Sequence, residues 1–423
     1  MMRKSLIGVA LALLVMLLNG CMSPDKKEIT VMWWGDVYNA RFAQKLVDAY
    51  NADHPAMPAK LITTSGNYAS KLLTMAASET LPDVILMVTR DVHNLGSRGA
   101  LLSLNQYEST LGFPDKQAMW DDLLDDVKQK GKLLAFPIWT WTPGIYYNKD
   151  LFDKADVAYP TDNWTWAEFA EKSIKLTKKK NGKTTQYALD MAGNLDHSFF
   201  LSYIYGHGGK VYSDDLTKCE IASPQTLAAL KLFFELKLKH GIAPTSAEQA
   251  SLATGGTLAD YFQAGKTAMR CAGRDYMDVL RQGKGVSFRW GVAPMPSGSK
   301  KFFFRRISSL AIAKQSKHPD EAWKFISFAI SEEGQRLVTL ERSDVTIRKA
   351  LTNDKSFLGY QDRSEVNALF RDMLLDAIPE PYIIGSEEWK KGALDQFELV
   401  ELGRTSLDNA CKNIEKTFGG IKK

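Results

Sequence analysis

Apolar runs alternate with amphipathic segments through the first ninety residues of the chain. The run from Ile29 to Trp34 is almost continuously apolar and β-branched, which predicts a buried strand. Residues 38–51 carry large apolar side chains at helical spacing, so they predict a helix packed on that strand. The same pattern predicts strands at 59–63 and 83–88 with a helix at 68–78 between them. Strands and helices that alternate in this way predict an α/β fold with mostly parallel sheets covered by helices.

Polar residues follow two of these predicted strands. Asp36 comes after the first strand, and Thr89, Arg90 and Asp91 form a predicted polar turn after the third. Ligands of open α/β sheets collect at the carboxyl ends of the strands. We therefore expect Asp36, Arg90 and Asp91 to bind a ligand.

An aromatic stretch at residues 136–157 interrupts the regular pattern. Pro137, Pro143 and Gly144 break it into short pieces, and Trp139 and Trp141 lie two residues apart on one side of an extended backbone. Bulky rings beside backbone that can flex suggest a hinge next to a ligand cleft. The alternative is that these rings belong to a core.

Helix signals recur further along the chain. Thr165 and Glu168 predict a capping box at the start of a helix. Ser223 and Pro224 predict the start of another helix, with Gly241 suited to its end. A strand is predicted within residues 302–313. The lysine run at residues 178–180 is interpreted as the solvated end of a helix.

Five short runs match one known family in order along the chain. They read Leu-Pro-Asp-Val, Gly-Lys-x-x-x-x-Pro, Ile-Tyr-Tyr-Asn-Lys-Asp-Leu-Phe, Phe-x-x-Gly-Lys-x-Ala-Met and Glu-Ala-Trp-Lys-Phe-Ile, at residues 81–84, 131–137, 145–152, 262–269 and 321–326. In these runs the chain resembles the extracellular solute-binding proteins of carbohydrate ABC importers, the family of maltose-binding-like proteins. The resemblance extends from about residue 29 to residue 335.

The resemblance implies a type II periplasmic-binding-protein-like fold, in which two α/β lobes close around a ligand by hinge bending. One lobe is expected to combine residues 28–137 with 304–343, and the other residues 138–303 with 344–423. The implied function is the capture of a sugar or oligosaccharide for delivery to a membrane permease. Catalysis and a cofactor are not expected, and the protein is expected to be a monomer.

Sugar recognition guides the choice of contact residues. Flat rings cover the C–H faces of a pyranose, while charged side chains bind its hydroxyls. In the family, the loop at residues 273–276 presents side chains to the ligand. The expected stacking residues are Trp34, Trp139, Trp141, Tyr276 and Trp389, and the expected polar contacts are Asp36, Arg90, Asp91, Arg274, Asp275 and Arg342.

Arg305 and Arg306 replace a Gly-Gly pair that family members usually have before the strand at 302–313. This change introduces two cations where the family normally uses backbone to contact the ligand. It raises the hypothesis that the sugar carries a carboxylate or a sulfate. The alternative is that both arginines are paired surface charges.

The N-terminus has the form of a secretory signal. Arg3 and Lys4 precede an apolar run from Leu6 to Leu18, which is too short to span a bilayer as a stable helix. The run leads to Cys21 in a context that resembles a bacterial lipobox. We expect residues 1–20 to be a signal peptide, Cys21 to be lipidated and residues 21–27 to be a tether. The protein would then be anchored to the outer face of the cell membrane, in a periplasm or at the cell surface.

Composition excludes several other classes. The formal net charge is only +5 with no basic face interleaved with aromatics, so a nucleic-acid partner is not expected. The six histidines lack the spacing of a zinc helix, and no metal site is predicted. Besides Cys21 there are three cysteines, Cys219, Cys271 and Cys411, which are either free thiols or include one disulfide.

Two rival functions remain at this stage. The same fold binds other solutes, such as a polyamine or a phosphate ester, because a fold does not determine its ligand. A secreted glycoside hydrolase would use two facing carboxylates. The acidic pairs at residues 121–122 and 125–126 are candidates for that role, although their spacing along the chain does not establish that they face each other.

Overall fold

The computed structural model describes residues 27–35, 37–64, 66–110, 123–190, 198–253, 259–281, 285–298, 303–342, 344–360, 363–382 and 386–421. The strands are β1 Ile29–Trp34, β2 Ala59–Thr64, β3 Val84–Val88, β4 Lys128–Gln129, β5 Lys132–Leu133, β6 Phe136–Trp141, β7 Gly144–Asn148, β8 Lys178–Lys180, β9 Lys183–Leu189, β10 Thr267–Ala272, β11 Trp290–Ala293, β12 Phe303–Ile312, β13 Val345–Thr346 and β14 Ala377–Pro379.

Helices cover both sheets. They are α1 Val37–Asp53, α2 Tyr68–Ala77, α3 Thr89–Ser97, α4 Asn105–Thr110, α5 Lys149–Lys154, α6 Trp166–Leu176, α7 Ser198–Gly206, α8 Pro224–Phe234, α9 Ser246–Ala253, α10 Ala259–Gln263, α11 Tyr276–Arg281, α12 Pro319–Ile330, α13 Glu332–Leu337, α14 Lys355–Leu358, α15 Ser364–Leu375, α16 Ser386–Glu401 and α17 Leu407–Ile421. Among the residues that the structure describes, every helix falls short of the length and apolar content needed to cross a membrane.

The larger sheet has seven strands within the described residues, in the order β13-β6-β12-β3-β1-β2 with β14 paired to β12. Strands β1, β2 and β3 are parallel, as strand-helix-strand units require, whereas β12 is antiparallel to β3 and β6. A second sheet has the order β11-β7-β10-β9-β8 and is largely antiparallel. The α/β class is therefore confirmed, but the sheets are mixed rather than mostly parallel.

The buried apolar residues form two separate cores, one on each sheet. The first core contains the strands and helices of residues 29–104, the inner residues of β6, and α12. The second core contains β7, β9 and β10, the helices between residues 198 and 280, and the C-terminal helices. This two-lobe organisation was expected. The lobe boundaries given above stay a prediction.

Within the described residues, the chain passes between the cores in three regions. Ile138 and Trp139 belong to the first core and Ile145 to the second, so β6 and β7 carry the first passage. Strand β12 begins in the second core at Phe303 and ends in the first at Ile312. In the third region, around β13, the chain alternates between the cores: Val338 and Ile347 pack in the first, whereas Val345 and Phe357 pack in the second.

Local signals explain where several helices begin and end. Thr165 and Glu168 form the predicted capping box at the start of α6. The Ser223 side chain caps α8, whose first residue is Pro224. Helix α8 continues as a π-helical segment that stops at Gly241, where a φ of 71° places the backbone in the left-handed region that glycine tolerates.

Three local predictions were wrong. Residues 89–91 form the first turn of α3 instead of a polar turn, because the segment continues helically to Ser97. The aromatic stretch is regular, since β6 and β7 pair with the two sheets despite its prolines. Lys178–Lys180 forms β8, an exposed edge strand and not a helix end; lysines on an edge strand discourage pairing with other chains.

Candidate ligand-binding cleft

A cleft lies where the two cores meet, beside the passages of β6 and β12. The cavity within it has a volume of about 160 Å³. Its lining residues come from the first lobe, from β12 and from the second lobe: Val88, Thr89, Arg90, Asp126, Leu201, Tyr212, Arg305, Arg306, Pro379, Glu380, Pro381, Tyr382 and Lys390.

Arg305 fixes the first-lobe side of the cleft to β12. Its Nε and Nη2 donate to the two carboxylate oxygens of Asp126 at 2.9 and 3.0 Å, and its Nη1 donates to the carbonyl of Ala377 at 2.7 Å. Both charged side chains are less than a tenth exposed. A two-point contact of this kind holds the planar guanidinium in one orientation. Arg305 therefore serves mainly to join Asp126, β12 and β14.

Arg306 is the more accessible of the two arginines. Its guanidinium carbon lies 5.0 Å from the ring centre of Trp141, and its Nε donates to Glu380 at 2.7 Å. About a third of its side chain is exposed. The indole Nε1 of Trp141 in turn donates to Asp275 at 3.0 Å. Arg306 thus presents a flat, positively charged surface whose orientation is set by a ring and a carboxylate.

Gly273 explains how Trp141 fits beside the second lobe. A Cβ at this position would overlap the indole nitrogen of Trp141, so a larger residue would displace the ring. The glycine thereby permits the contact between Trp141 and Asp275, two of the predicted site residues that the structure brings together.

The segment at residues 379–382 forms one wall of the cleft. The backbone N–H of Glu380 donates to the carbonyl of Arg305 at 3.1 Å, which extends the pairing of β14 with β12. The ring of Tyr382 lies 4.6 Å from the ring of His93 on α3. An imidazole nitrogen of His93 is 2.9 Å from the carbonyl of Asp126. The wall is therefore held to the first lobe at both of its ends.

Burial changes the pKa values of both rings in this contact. It lowers the pKa of His93, because the imidazolium loses more free energy of hydration on burial than it gains from the hydrogen bond to the Asp126 carbonyl. Burial also raises the pKa of Tyr382, and the nearby Asp126 carboxylate adds to that rise. Tyr382 is consequently a neutral hydrogen-bonding group at any physiological pH.

Three predicted residues lie near the carboxyl ends of β1 and β3 in the first lobe. Arg90 lines the cleft, and its Nε is 3.4 Å from an oxygen of Asp91, which is buried. Trp34 is half-buried at the end of β1, with its ring edge-on to Tyr68 at 6.0 Å and to Trp139 at 6.3 Å. Helix α3 and strand β1 place these residues because both begin or end at the same edge of the sheet.

Three predicted stacking residues lie inside the cores and leave no ring surface for a ligand in this structure. Trp139 is 1% exposed and packs against Trp33 and Phe42. Trp389 is also 1% exposed and packs on Tyr212. Tyr276 is buried beneath the guanidinium of Arg270. We correct their expected role from ligand stacking to core packing.

Arg274 is corrected in the same way. Its guanidinium is enclosed in the second lobe, where it donates to the side-chain oxygen of Asn367 at 2.8 Å and to the carbonyl of Asp344 at 3.1 Å. The rings of Phe357 and Tyr360 lie 4.2 and 4.8 Å from its guanidinium carbon. Burial lowers the pKa of Arg274 to about 10, which outweighs the opposite effect of the neighbouring Tyr360 and Asp344.

Several predicted residues cannot be assigned a position. Asp36, Cys21 and the Asp121-Asp122 pair lie outside the described residues, as does the side chain of Arg342. Within the described part of the chain, no group of histidine, cysteine and acidic side chains is arranged to hold a metal ion.

Sequence reasoning missed much of the cleft wall. The sequence indicates Asp126 only as a candidate carboxylate of a glycoside hydrolase. Four other residues were not predicted to belong to the site: Glu380, Tyr382, Tyr212 and Lys390. The Pro-Glu-Pro-Tyr run at residues 379–382 offered one signal, because two prolines with an acid and a tyrosine mark an irregular polar segment. The ion pair between Arg305 and Asp126 had no such signal, since it joins residues 179 positions apart.

The cleft combines three kinds of group that recognise polyhydroxylated ligands. Guanidinium groups supply donors, carboxylates supply acceptors, and Tyr212 and Tyr382 supply ring surface with a hydroxyl. Four cationic side chains and two acids are among the lining residues. Asp126 and Glu380 each pair with an arginine, but the side chains of Arg305 and Asp126 are less than a tenth exposed, so the alternative of paired surface charges is wrong for Arg305.

Comparison with known proteins identifies relatives of this chain. A putative binding protein of Brucella abortus is 22% identical and aligns over 100% of both chains. The mannitol-binding protein of Pseudomonas aeruginosa is 23% identical over 70% of this chain and 67% of its own. The structure also resembles an ABC substrate-binding protein from Listeria monocytogenes in complex with cycloalternan, with a TM-score of 0.82, 23% identity and coverage of 94% and 100% of the two chains.

These relatives are all described as binding proteins. The family model that matches covers residues 36–336, which is more than half of the chain. The chain belongs to the bacterial extracellular solute-binding protein family.

Proposed function

We propose that this protein is the lipid-anchored substrate-binding component of an ABC importer that captures a sugar or oligosaccharide in the cleft and delivers it to a membrane permease. The observation that carries the proposal is Arg306, whose guanidinium carbon lies 5.0 Å from the ring centre of Trp141 and whose Nε donates to Glu380 at the junction of the two cores. A saccharide hydroxyl rim suits such oriented donors and acceptors. The cycloalternan and mannitol named for the relatives are polyhydroxylated compounds of the same kind.

Closure of the lobes would allow the permease to distinguish the ligand-bound protein from the ligand-free protein. The cleft lining includes Arg90 on the first lobe and Lys390 on the second, so a ligand that contacts both stabilises the arrangement with the lobes together. The proposed lobes are residues 28–137 with 304–343, and 138–303 with 344–423. Lipidation at Cys21 would hold the protein on the outer face of the membrane as a monomer.

We propose Trp34, Arg90, Asp91, Trp141 and Asp275 as retained contact or contact-positioning residues. The structure supports adding Arg306, Glu380, Tyr212 and Tyr382, which line the cleft. Asp36 and Arg342 stay predictions.

A thermal-shift screen against mono- and oligosaccharides tests the function, because a ligand that binds only the native state raises the melting temperature. At a concentration of about 100 Kd, stabilisation is about 2.7 kcal/mol, which is easily measured. Calorimetric titration of each compound that raises the melting temperature should give one site per chain. The proposal would be abandoned if no saccharide bound while a polyamine or a phosphate ester did.

The excess of cations in the cleft favours a second candidate, an acidic saccharide or a phosphate ester. Matched neutral and uronate-bearing oligosaccharides distinguish it from the first. Tighter binding of the uronate form that weakens with added salt would support the acidic ligand. Equal affinities would leave Arg305 and Arg306 as internal ion pairs. Incubation with the same compounds should release no new reducing ends, which a glycoside hydrolase would produce.

A further inference from the structure

A hairpin in the second lobe places Cys219 beside a ring of the cleft. Tyr212 and Cys219 face each other across an antiparallel bridge, with hydrogen bonds from Ser213 N to Lys218 O at 3.0 Å and from Glu220 N to Val211 O at 2.8 Å on either side. Residues directly opposite in an antiparallel pair point to the same face. The thiol of Cys219 therefore points to the side of the hairpin on which the Tyr212 ring lies.

That side of the hairpin packs against the C-terminal helix α17. The Tyr212 ring lies 6.1 Å from the ring of Phe418 on this helix. Just after the hairpin, the N–H of Ala222 donates to a carboxylate oxygen of Glu415 at 3.0 Å. Both contacts reach the helix from positions that flank Cys219 along the chain.

Cys411 lies on the same face of α17 as these two partners. Cys411, Glu415 and Phe418 are spaced i, i+4 and i+7, which puts them in one stripe along a helix. Cys411 is fully buried in the second core, and Cys219 is half-buried and packs against that core. The hairpin and the helix thus place Cys219 and Cys411, both free thiols in this structure, in the same part of the second core, near enough for Cys219 to affect the pKa of Cys411.

We propose that Cys219 and Cys411 form a disulfide bond in the mature protein, which fastens the hairpin to helix α17. The two thiols lose two protons and two electrons as the S–S bond forms. A thiol–disulfide oxidoreductase accepts the electrons through its own disulfide, which becomes a dithiol. Members of an extracellular family fold in compartments where such disulfides persist.

The third described cysteine has a different environment. Cys271 lies inside β10, where its sulfur is 3.9 Å from that of Met295. Burial raises the pKa of the Cys271 thiol, which disfavours the reactive thiolate. The sulfur beside Cys271 is the thioether of Met295, which cannot form a disulfide, so Cys271 is expected to remain reduced and provides a control within the same chain.

The thiol environments also determine when the bond can form. Burial raises the pKa of Cys219 to about 12, and burial together with the nearby Cys219 raises that of Cys411 to about 12. Thiolates are therefore scarce at neutral pH once the lobe is packed. Oxidation precedes the docking of α17 during folding, and afterwards the bond resists exchange.

Alkylation under denaturing, non-reducing conditions tests the proposal on the full chain exported to an oxidising compartment. Proteolysis and mass spectrometry should give a linked peptide that contains both Cys219 and Cys411, with alkylation of Cys271. The Cys271→Ser variant should keep the linked peptide. Alkylation of Cys219 and Cys411 in all molecules would overturn the proposal.

Melting curves with and without a reductant provide a second measurement. A cross-link over so long a stretch of chain should raise the melting temperature by roughly 5 °C or more, so reduction should lower it by that amount. The Cys219→Ser variant, altered at the half-buried partner so that the lobe still folds, should show no effect of reductant. An equal effect in both proteins would contradict the bond. Neither measurement needs a ligand, so the result is independent of the proposed sugar binding.

Discussion

Arg274 and Arg306 both lie over aromatic rings but occupy opposite kinds of environment. Arg274 follows Gly273 and its guanidinium carbon is 4.2 Å from the ring centre of Phe357, whereas Arg306 follows Arg305 and its guanidinium carbon is 5.0 Å from that of Trp141. Arg274 is enclosed by the second core and donates to neutral oxygens of Asn367 and Asp344. Arg306 is about one-third exposed at the cleft and donates to the carboxylate of Glu380. Arg274 therefore stabilises the second lobe, whereas Arg306 presents an accessible guanidinium at the cleft between the lobes.

This difference shows which property distinguishes a structural arginine from a candidate ligand contact. The guanidinium of each side chain lies over an aromatic ring, so a ring contact alone does not distinguish them. The two arginines are distinguished by the solvent accessibility of their side chains and by the lobes from which their hydrogen-bond partners come. The partners of Arg274 all come from the second lobe, whereas Arg306 lies on a strand that belongs to both cores.

The largest expected effect is a loss of stability in Arg274→Ala. The change leaves the buried Asn367 and Asp344 oxygens without their donor and opens a cavity beside Phe357, so the free energy of unfolding should fall by about 3 kcal/mol or more. Urea unfolding followed by tryptophan fluorescence measures the change. The control Arg336→Ala removes an exposed i, i+4 pair with Glu332 and should cost less than about 0.5 kcal/mol.

The comparison would fail if Arg274→Ala were as stable as that control but bound saccharide more weakly. Such a result would return Arg274 to the ligand site.

An intermediate effect is expected on binding in Arg306→Ala. Loss of an oriented charged donor should weaken binding of the saccharide identified by screening by about 30-fold, or about 2 kcal/mol. The free energy of unfolding should change by less than about 1 kcal/mol, because Arg306 is partly exposed. Calorimetric titration and urea unfolding measure the two quantities on the same protein.

The variant Arg306→Lys sharpens this result. It keeps the charge but loses the flat surface over Trp141, so its affinity should lie between those of the wild type and Arg306→Ala. If Arg306→Ala bound normally, Arg306 would be only a partner for Glu380.

The smallest expected effect is a pH dependence that arises at His93. Burial lowers its pKa, so the unfolded chain takes up this proton at a higher pH than the folded protein does. The stability that neutral His93 contributes is therefore present above about pH 6.5 and is lost as the pH falls through the lowered folded value. Unfolding free energies measured between pH 7 and 5 should decline less in His93→Gln than in the wild type. Parallel declines in the two proteins would show that His93 titrates normally.

The sequence predicted features that depend on neighbours in the chain. The capping box of Thr165 and Glu168 and the end of the long helix at Gly241 follow from local chemistry, and both were confirmed. The two-lobe fold followed from short runs that resemble a known family. These features need no information about distant contacts.

The site depended on contacts that the sequence does not reveal. Trp139 and Trp141 are two residues apart in β6, so the alternation of side chains along a strand predicts that both point to the same face. In the structure, however, Trp139 is covered by Trp33 and Phe42, whereas Trp141 lies beside Arg306. Their difference arises because the first core ends between them. The partners of Arg305 and Arg306, Asp126 and Glu380, lie far away along the chain and were found only from the fold.

Strand β12 limits how the two halves of the molecule can move. It is one continuous strand from Phe303 to Ile312, with its register against β6 shifting between Ser308 and Ser309. Any rotation between the halves must bend this strand, and an irregularity in pairing is where a strand bends most readily. Arg305 and Arg306 sit next to that pivot, so they would travel less than residues at the rim. The geometry of the cleft base would then change little while the cleft opening narrows. A solute would first bind at this base and contact the walls of the cleft only as the halves close.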